Sequence, residues 1–342
     1  MTCASIPTCF FPSTVLFVAN QQDDWLKEIA VGDPRFTAYI VDSPAAAVAH
    51  LNQQCSDADQ LTGLCTDHSF VAHQAPGVVD PASETLVMVH AEMYNPLRFN
   101  EVSVLIVDST LLTTDVFDFC RSLDHYAIKI MVLITTEQLS SAVIALASGW
   151  IDAYITQDTH DLPHRLIENI YRLQEKYFQC MSKIVLKLLK IQQPECLSNP
   201  DFVRFFQDVC AQHLIVEYYL VDISGGFLLI NAAGKVSLLL IKRQSELPLI
   251  TEFAAAHGAS NAVLESIRSG QKIPGILAQE LRGAGDINWS HLLVPAEHRF
   301  FNDAYETAYV SGHSWYDANY KKLCSYQHYL NEIHSADCLL TH

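Results

Sequence analysis

The sequence is short of positive charge. It holds 21 Lys and Arg against 38 Asp and Glu, which gives a formal net charge of -17 at pH 7. Proteins that coat DNA, RNA or anionic membranes present clustered Lys and Arg side chains. The charge balance therefore argues against nucleic-acid binding over the whole surface, although it leaves room for a local basic patch.

Other features of secreted, membrane and metal proteins are absent as well. No Lys or Arg precedes Lys27, so the apolar N-terminus lacks the positive start of a secretory signal. No apolar run approaches about 18 residues, the length that predicts a transmembrane helix. The 10 cysteines form no CxxC motif and the 15 histidines form no HExxH motif. We expect a cytoplasmic protein with reduced thiols and no membrane contact.

The sequence does contain an apolar strand that ends in a carboxylate. Val102 to Val107 is apolar except for Ser103, and Asp108 follows directly. Such a run predicts a strand buried on both faces, and ligands of open α/β sheets bind at the carboxyl ends of strands. A carboxylate there can attack phosphorus and form an acyl phosphate. The alternative is that Asp108 only caps the next helix, predicted near 117–123.

Strands and helices alternate on both sides of Asp108. This alternation predicts βαβ units and a doubly wound parallel sheet. Right-handed crossovers then bring the strand ends Asn20, Asp108, Thr135 and Gln157 to one edge of the sheet. Residues from about 55 to 100 break the pattern and are interpreted as an insertion. We predict strands over 13–20, 37–41, 102–107, 128–134 and 151–155, and helices over 45–51, 116–123 and 138–147.

Three motifs in this order resemble the receiver domain of two-component response regulators. They are Val-Leu-Ile-Val-Asp108, Leu-Ile-Thr135-Thr and Gly149-Trp-Ile-Asp-Ala-Tyr154-Ile. The resemblance implies a flavodoxin-like receiver domain over about 1–160, in which Asp108 accepts a phosphoryl group from a sensor histidine kinase. It also implies that Thr135 hydrogen-bonds a phosphoryl oxygen and that Tyr154 is the aromatic switch. Without this context, Thr135 simply ends a strand and Tyr154 is a half-buried strand aromatic.

The chain departs from the receiver pattern at two places. Receivers end their first strand with two acidic residues that hold Mg²⁺, and here those positions are Ala19 and Asn20. They carry a lysine at the end of the fifth strand, and here that position is Gln157. Magnesium keeps several waters, so a weak site is expected from Asp108, Asn20 and Asp23 or Asp24. Asp23 and Asp24 could equally be the acids that favour a helix N-terminus. The rival hypothesis is a pseudo-receiver scaffold that is never phosphorylated.

A long helix is predicted to connect this domain to the rest of the chain over 161–194. Apolar residues recur along it at spacings of three and four, as in a coiled coil. Two readings stay open: the helix of 161–192 pairs with the same helix in a second molecule, or it packs on its own output domain. The apolar seam comprises Ile170, Leu173, Tyr177, Cys180, Ile184 and Ile191.

Residues 195–342 are predicted to form an α+β output domain with an antiparallel sheet. We expect strands from 215 to 241, at 289–294 and at 305–310, and a last helix over 316–334. No helix-turn-helix pattern or catalytic motif is evident, so we expect no enzyme activity. A nucleotide site near Asp222–Gly226 is an alternative, although a Gly-Gly pair between strands usually forms only a turn. Joined to a degenerate receiver, this output domain resembles the response regulators of α-hydroxyketone quorum-sensing systems.

Overall fold

The structure, a computed structural model, describes residues 5–20, 22–30, 33–53, 93, 95, 97–112, 114–123, 127–188, 194–221, 224–275, 288–311 and 323–332. Most of the predicted insertion at 55–100 lies outside these residues. The chain forms two compact units, and each of them is discontinuous in sequence. One unit contains the parallel sheet and the long helix as far as Lys183. The other contains Cys9–Phe10 and the chain from Ile184 onwards.

The first unit is built on a parallel sheet of five described strands. The strand order is β3-β2-β4-β5-β6, and every neighbouring pair is parallel. This is the doubly wound order of flavodoxin-like domains. The predicted fold class is therefore confirmed. The strands are β2 Ser13–Val18, β3 Phe36–Val41, β4 Val102–Asp108, β5 Lys129–Ile134 and β6 Ala153–Thr156.

Helices cover both faces of this sheet because β2 and β4 are apolar on both faces. On one side, Leu16 and Leu105 share a core with the helix over 44–53 and with α3 and α4. On the other side, Phe17 and Ile106 pack against α1 and the long helix α5. Parallel strands buried in this way stabilise the sheet and leave its strand ends as the accessible edge. With the helix over 44–53 counted as α2, the helices are α1 Asp24–Ala30, α3 Val116–Ser122, α4 Leu139–Ala147 and α5 Leu162–Leu188.

The predicted long helix is present, but half of its coiled-coil seam is occupied by its own sheet. Ile170 and Leu173 are fully buried in the core of the parallel sheet, and Tyr177 is also buried. These three positions are closed to a partner helix, which corrects the predicted pairing along the whole seam. The physical reason is that apolar residues three and four apart form one face of a helix, and that face can cover either a sheet or a partner helix. Among the described residues, no helix combines the length and apolar content of a membrane span.

The second unit contains an antiparallel sheet with the order β1-β7-β8-β9-β13-β12. The predicted hairpin meander is confirmed by β7, β8 and β9, which pair in sequence. Asn199 caps α6, because its side-chain oxygen accepts hydrogen bonds from the amides of Asp201 and Phe202. The elements are β7 Ile215–Leu220, β8 Phe227–Asn231, β9 Val236–Arg243, β12 Glu297–Phe300, β13 Ala304–Ser311, α6 Pro200–Gln212, α7 Leu247–Ala256 and α8 Asn261–Arg268.

The domain boundary at residue 1 was wrong, since the N-terminus belongs to the second unit. The two-residue strand β1, Cys9–Phe10, pairs antiparallel with β7, where Cys9 faces Tyr219. The amide of Ile6 also bonds to the carbonyl of Leu197 at 2.8 Å. The receiver therefore begins after Phe10, and the first strand of the chain extends the antiparallel sheet.

The predicted strand at 289–294 was wrong as well. Trp289–Leu292 form a short helical turn. Only Leu293–Pro295 are extended, as β11, and they pair with β10, Lys272–Pro274. The indole of Trp289 explains the difference, because it is buried between α7 and α8 and donates to the carbonyl of His257 at 3.1 Å. The predicted last helix lies partly outside the described residues, which are helical over 326–332.

Candidate functional site

A cavity of about 340 Å³ opens at the carboxyl ends of the parallel strands. The strand ends β2, β4 and β6 each contribute a polar side chain to it, as the topology requires. Asn20, Asp108 and Gln157 were predicted at this edge from the sequence, and the structure brings the three together. The cavity is lined by Asn20, Asp23, Trp25, Asp108, Thr110, Leu111, Gln157 and Leu162.

Asp108 is the last residue of β4 and its side chain is held in one orientation. The residue is 5% exposed. Its Oδ1 accepts hydrogen bonds from the amide of Thr110 at 2.8 Å, from the hydroxyl of Thr110 at 2.7 Å and from Nε2 of Gln157 at 2.7 Å. Among the described residues, every hydrogen bond to this carboxylate goes to Oδ1. Oδ2 is therefore the oxygen that remains for a ligand or an electrophile.

Asp108 was alternatively predicted only to cap the next helix, and the structure shows it capping a short turn instead. Its bond to the Thr110 amide caps the short turn Ser109–Leu111. The α-helix that follows, α3, is capped by Asp115, whose Oδ1 accepts from the amide of Phe117 at 2.7 Å. Because Asp115 satisfies that helix terminus, capping of α3 does not explain the carboxylate at the end of β4.

The predicted metal ligands are gathered at the same cavity. Asn20 and Asp23 line it together with Asp108, while the side chain of Asp24 lies outside what the structure describes. Asn20 is exposed, and its Oδ1 accepts from the amide of Gln22 at 3.1 Å. Two carboxylates and one amide oxygen are the hard oxygen donors that Mg²⁺ takes, with water completing its shell. The residues present thus fit a weakly held magnesium ion.

The described residues that line this cavity carry no positive charge. None of the described residues that line the cavity is Lys or Arg. In the receiver pattern a lysine stands where Gln157 stands here, and an amide can donate a hydrogen bond but carries no charge. Across the described ranges, no three His, Cys, Asp or Glu side chains form a metal cluster. Stabilisation of the negative charge on a bound phosphoryl group would therefore depend on a magnesium ion and on hydrogen-bond donors.

Thr135 lies at the end of β5 but does not line the cavity. Its amide donates to Oε1 of Gln138 at 3.0 Å, and its hydroxyl lies 3.5 Å from the same oxygen. The hydroxyl of Ser109, the residue after Asp108, donates to that oxygen at 2.7 Å. Gln138 therefore joins the segment after β4 to the end of β5.

Tyr154 lies on β6, half-buried, and packs against the core on the side of α3 and α4. It also lines a second, open cavity of about 280 Å³ together with Thr156, Arg165 and Asn169. Tyr154 is not among the described residues that line the cavity at Asp108. In the register of the sheet, Tyr154 lies opposite Val132 of β5.

Sequence reasoning missed Thr110, Ser109 and Gln138. A signal existed for two of them. Asp108-Ser-Thr110 is a pattern in which an aspartate bonds to the backbone two residues on. Thr135-Thr-Glu-Gln138 matches the S/T-x-x-E/Q capping box. Ser109 carried no such signal, because only the fold brings it to Gln138.

The doubly wound sheet, with a carboxylate at the end of its central strand facing a polar cavity, defines a receiver domain. The chain matches no protein-family model and no curated protein sequence. Its structure is similar to that of the Legionella pneumophila response regulator LqsR, with a TM-score of 0.80 and 30% sequence identity. The match covers 96% of this chain and 97% of that chain. The chain therefore belongs to the response regulator family that includes LqsR.

Proposed function

We propose that this response regulator is cytoplasmic and accepts a phosphoryl group on Asp108 from a sensor histidine kinase. In this proposal it acts in quorum-sensing signalling as a switch without enzyme activity of its own. The observation that supports this is the state of the Asp108 carboxylate. Three donors occupy Oδ1, and Oδ2 is left for attack at a cavity with room for a phosphoryl group. An oriented carboxylate at a strand end is suited to nucleophilic attack.

The transfer exchanges one bond to phosphorus for another. Oδ2 of Asp108 forms a P–O bond as the P–N bond to the imidazole of the kinase breaks. The imidazole nitrogen keeps the electron pair and takes a proton from water. Thr110 and Gln157 hold the carboxylate in place through Oδ1, so that the nucleophile loses little freedom during attack.

Magnesium would be held by Asp108, Asn20 and Asp23, with Asp24 as a further acid nearby. Bound there, the ion supplies the positive charge that stabilises the transferring oxygens. Asp108, Asn20 and Asp23 would contribute oxygen donors, and Gln157 contributes the N–H donor of its side-chain amide. Since no lysine adds charge, transfer is expected to be slow and strongly dependent on the ion.

Phosphorylation is proposed to act through Thr135 and Tyr154. A phosphoryl group on Asp108 adds charge and acceptor oxygens that a threonine hydroxyl can bond. Movement of Thr135 would open space beside β5 for the half-buried ring of Tyr154. The surface around Tyr154 would then change, and with it the tendency of the chain to form dimers and the activity of its output domain.

A phosphotransfer assay tests the proposal. A sensor histidine kinase labelled with ³²P should transfer label to the wild-type chain with Mg²⁺ and not to Asp108→Asn. Asp115→Asn is the matched control, because Asp115 caps α3 and does not line the cavity. Label that survives in Asp108→Asn would place the phosphoryl group elsewhere and end the proposal.

The pseudo-receiver scaffold remains a second candidate because of one specific observation. The lining of the cavity contains no Lys or Arg among the described residues, so an acyl phosphate lacks its usual cation. A scaffold would show the same mass by light scattering in wild type and Asp108→Asn, with or without beryllofluoride. A change in mass in the wild type alone would exclude it.

A further inference from the structure

The amide oxygen of Gln138 joins the phosphoacceptor segment to the proposed switch residue. It accepts the hydroxyl of Ser109 at 2.7 Å and the amide of Thr135 at 3.0 Å, and the Thr135 hydroxyl lies at 3.5 Å. Ser109 is 6% exposed, so its hydroxyl has little access to water. One side-chain atom therefore serves donors from the ends of two neighbouring strands.

These contacts with Gln138 oppose the movement of Thr135 toward the phosphoryl group, which switching requires. The hydroxyl of Thr135 has one proton and can donate it to one acceptor at a time. In the structure that hydroxyl is beside Gln138, and Thr135 is absent from the lining of the Asp108 cavity. To bond a phosphoryl oxygen, Thr135 must leave Gln138, and its amide bond to Gln138 resists that step.

We infer that Gln138 is a latch that holds Thr135 in its resting position and so sets the balance between the resting and the phosphoryl-bound forms. This inference rests on the function proposed above and adds a positioning residue to it. Gln138 does not touch the reacting atoms. It acts through Ser109 and Thr135, and its effect is on the energy of the resting state.

A simpler role for Gln138 must be separated from this one. Its bond to the Thr135 amide is one half of a capping box at the turn Thr136–Gln138. Loss of a cap would weaken the start of α4 without favouring a bound phosphoryl group. The two roles predict different results, since only the latch makes the variant bind a phosphoryl mimic more tightly than the wild type.

The test uses Gln138→Met, which keeps the length of the side chain and removes its acceptor. Thr136→Ala is the control, because it alters the same exposed turn and leaves the three contacts of Gln138 in place. Beryllofluoride with Mg²⁺ is titrated into the full chain, and binding is followed by tryptophan fluorescence, to which Trp25 in the cavity contributes. Hydrogen exchange at the Thr135 amide is measured in parallel.

The latch predicts that Gln138→Met binds beryllofluoride about fivefold more tightly than wild type, the effect of one or two modest hydrogen bonds. It also predicts that exchange of the Thr135 amide becomes several times faster in this variant. Thr136→Ala should match the wild type in both measurements. Gln138→Glu, which retains an acceptor oxygen, should keep the Thr135 amide protected.

The outcomes distinguish the latch from the proposed function. If beryllofluoride binds the wild type and binds Gln138→Met equally well or more weakly, the latch is overturned. The proposed phosphorylation of Asp108 would still stand. Unchanged exchange at Thr135 would also overturn it. Binding to Gln138→Met alone would support a latch strong enough to suppress the wild type. Absence of binding in both chains would overturn the proposed function and the latch with it.

Discussion

Gln157 donates a hydrogen bond of 2.7 Å from its side-chain amide to Oδ1 of Asp108. The end of β6 therefore contacts the end of β4 across the cavity, but through a neutral donor. A lysine at this position would add a full charge beside the oxygens of a transferred phosphoryl group. The difference between an amide and an ammonium is the clearest chemical departure of this site from the receiver pattern.

The first prediction concerns that amide. Gln157→Lys should raise the rate of phosphorylation by acetyl phosphate about tenfold, because the ammonium stabilises charge on the transferring oxygens. Gln157→Met, which has neither charge nor donor, should be slower than the wild type. Incorporation of ³²P over time is the measurement. A lysine variant no faster than wild type would mean that charge at this position does not limit the reaction.

The second prediction concerns magnesium. Asn20→Asp should tighten Mg²⁺ binding about tenfold, because a third carboxylate joins Asp23 and Asp108 around the cavity. Asn20→Ala should weaken it. Titration of tryptophan fluorescence reports binding, since Trp25 lies in the cavity wall. Equal affinity in all three chains would show that residue 20 is not a ligand.

The third prediction concerns self-association. Helix α4 exposes Val143 at 50% and Ile144 at 60%, an apolar surface next to the β6 edge that carries Tyr154. A dimer that forms through this surface, rather than through the long helix α5, should be lost in Val143→Glu, which should stay monomeric with Mg²⁺ and beryllofluoride. Ser141→Glu places the same charge at another exposed position of α4 and should not. Light scattering measures the mass, and a dimer that survives Val143→Glu would point to another surface.

The fourth prediction concerns the turn between β7 and β8. Gly225 has φ +105°, and a Cβ there would lie 2.6 Å from Sγ of the buried Cys196. Gly225→Ala should lower the free energy of unfolding by about 2–3 kcal/mol from strain and overlap combined. Gly258→Ala, at φ +77° with open space around it, should cost only about 1 kcal/mol. Urea denaturation measures the free energy of unfolding of both variants. Equal losses would show that overlap with Cys196 does not destabilise Gly225→Ala.

The fifth prediction concerns alkaline pH. Burial raises the pKa of the Cys120 and Cys196 thiols to about 12, from a usual value of 9.0. The folded chain therefore holds these two protons more tightly than the unfolded chain. Their contribution to stability is complete below about pH 9 and is lost as the pH rises toward 12. Urea midpoints from pH 8 to pH 11 should fall, and less so when both cysteines are replaced by alanine.

Much of the parallel domain could be predicted from the sequence because its signals are local. β4 is a continuous apolar run, and the strand ends then follow from the handedness of βαβ connections. The coiled-coil seam could not be decided in the same way. Ile170 and Leu173 have the spacing of an apolar helix face, and that spacing is identical whether the face covers a sheet or a second helix.

The strand-end residues of the candidate site could be predicted from the sequence, but the side-chain contacts between its loops could not. Asn20, Asp108 and Gln157 follow from topology, since each ends a strand at the same edge. The contact between Ser109 and Gln138 depends on the distance between two loops, which no local pattern encodes. Cys9–Phe10 were misassigned for the same reason, because a strand of two residues has no period and its partner lies far along the chain.

The pairing of Cys9–Phe10 with β7 has a consequence for how the protein is made. Cys9–Phe10 cannot reach their final place until Ile215–Leu220, far along the chain, have been synthesised. The parallel domain can fold before that point, while Cys9–Phe10 are still unpaired. A fragment that starts at Phe11 would leave the edge of β7 without its partner strand, and exposed edges invite association between chains. Cys9–Phe10 thus pair only after most of the parallel domain has been synthesised.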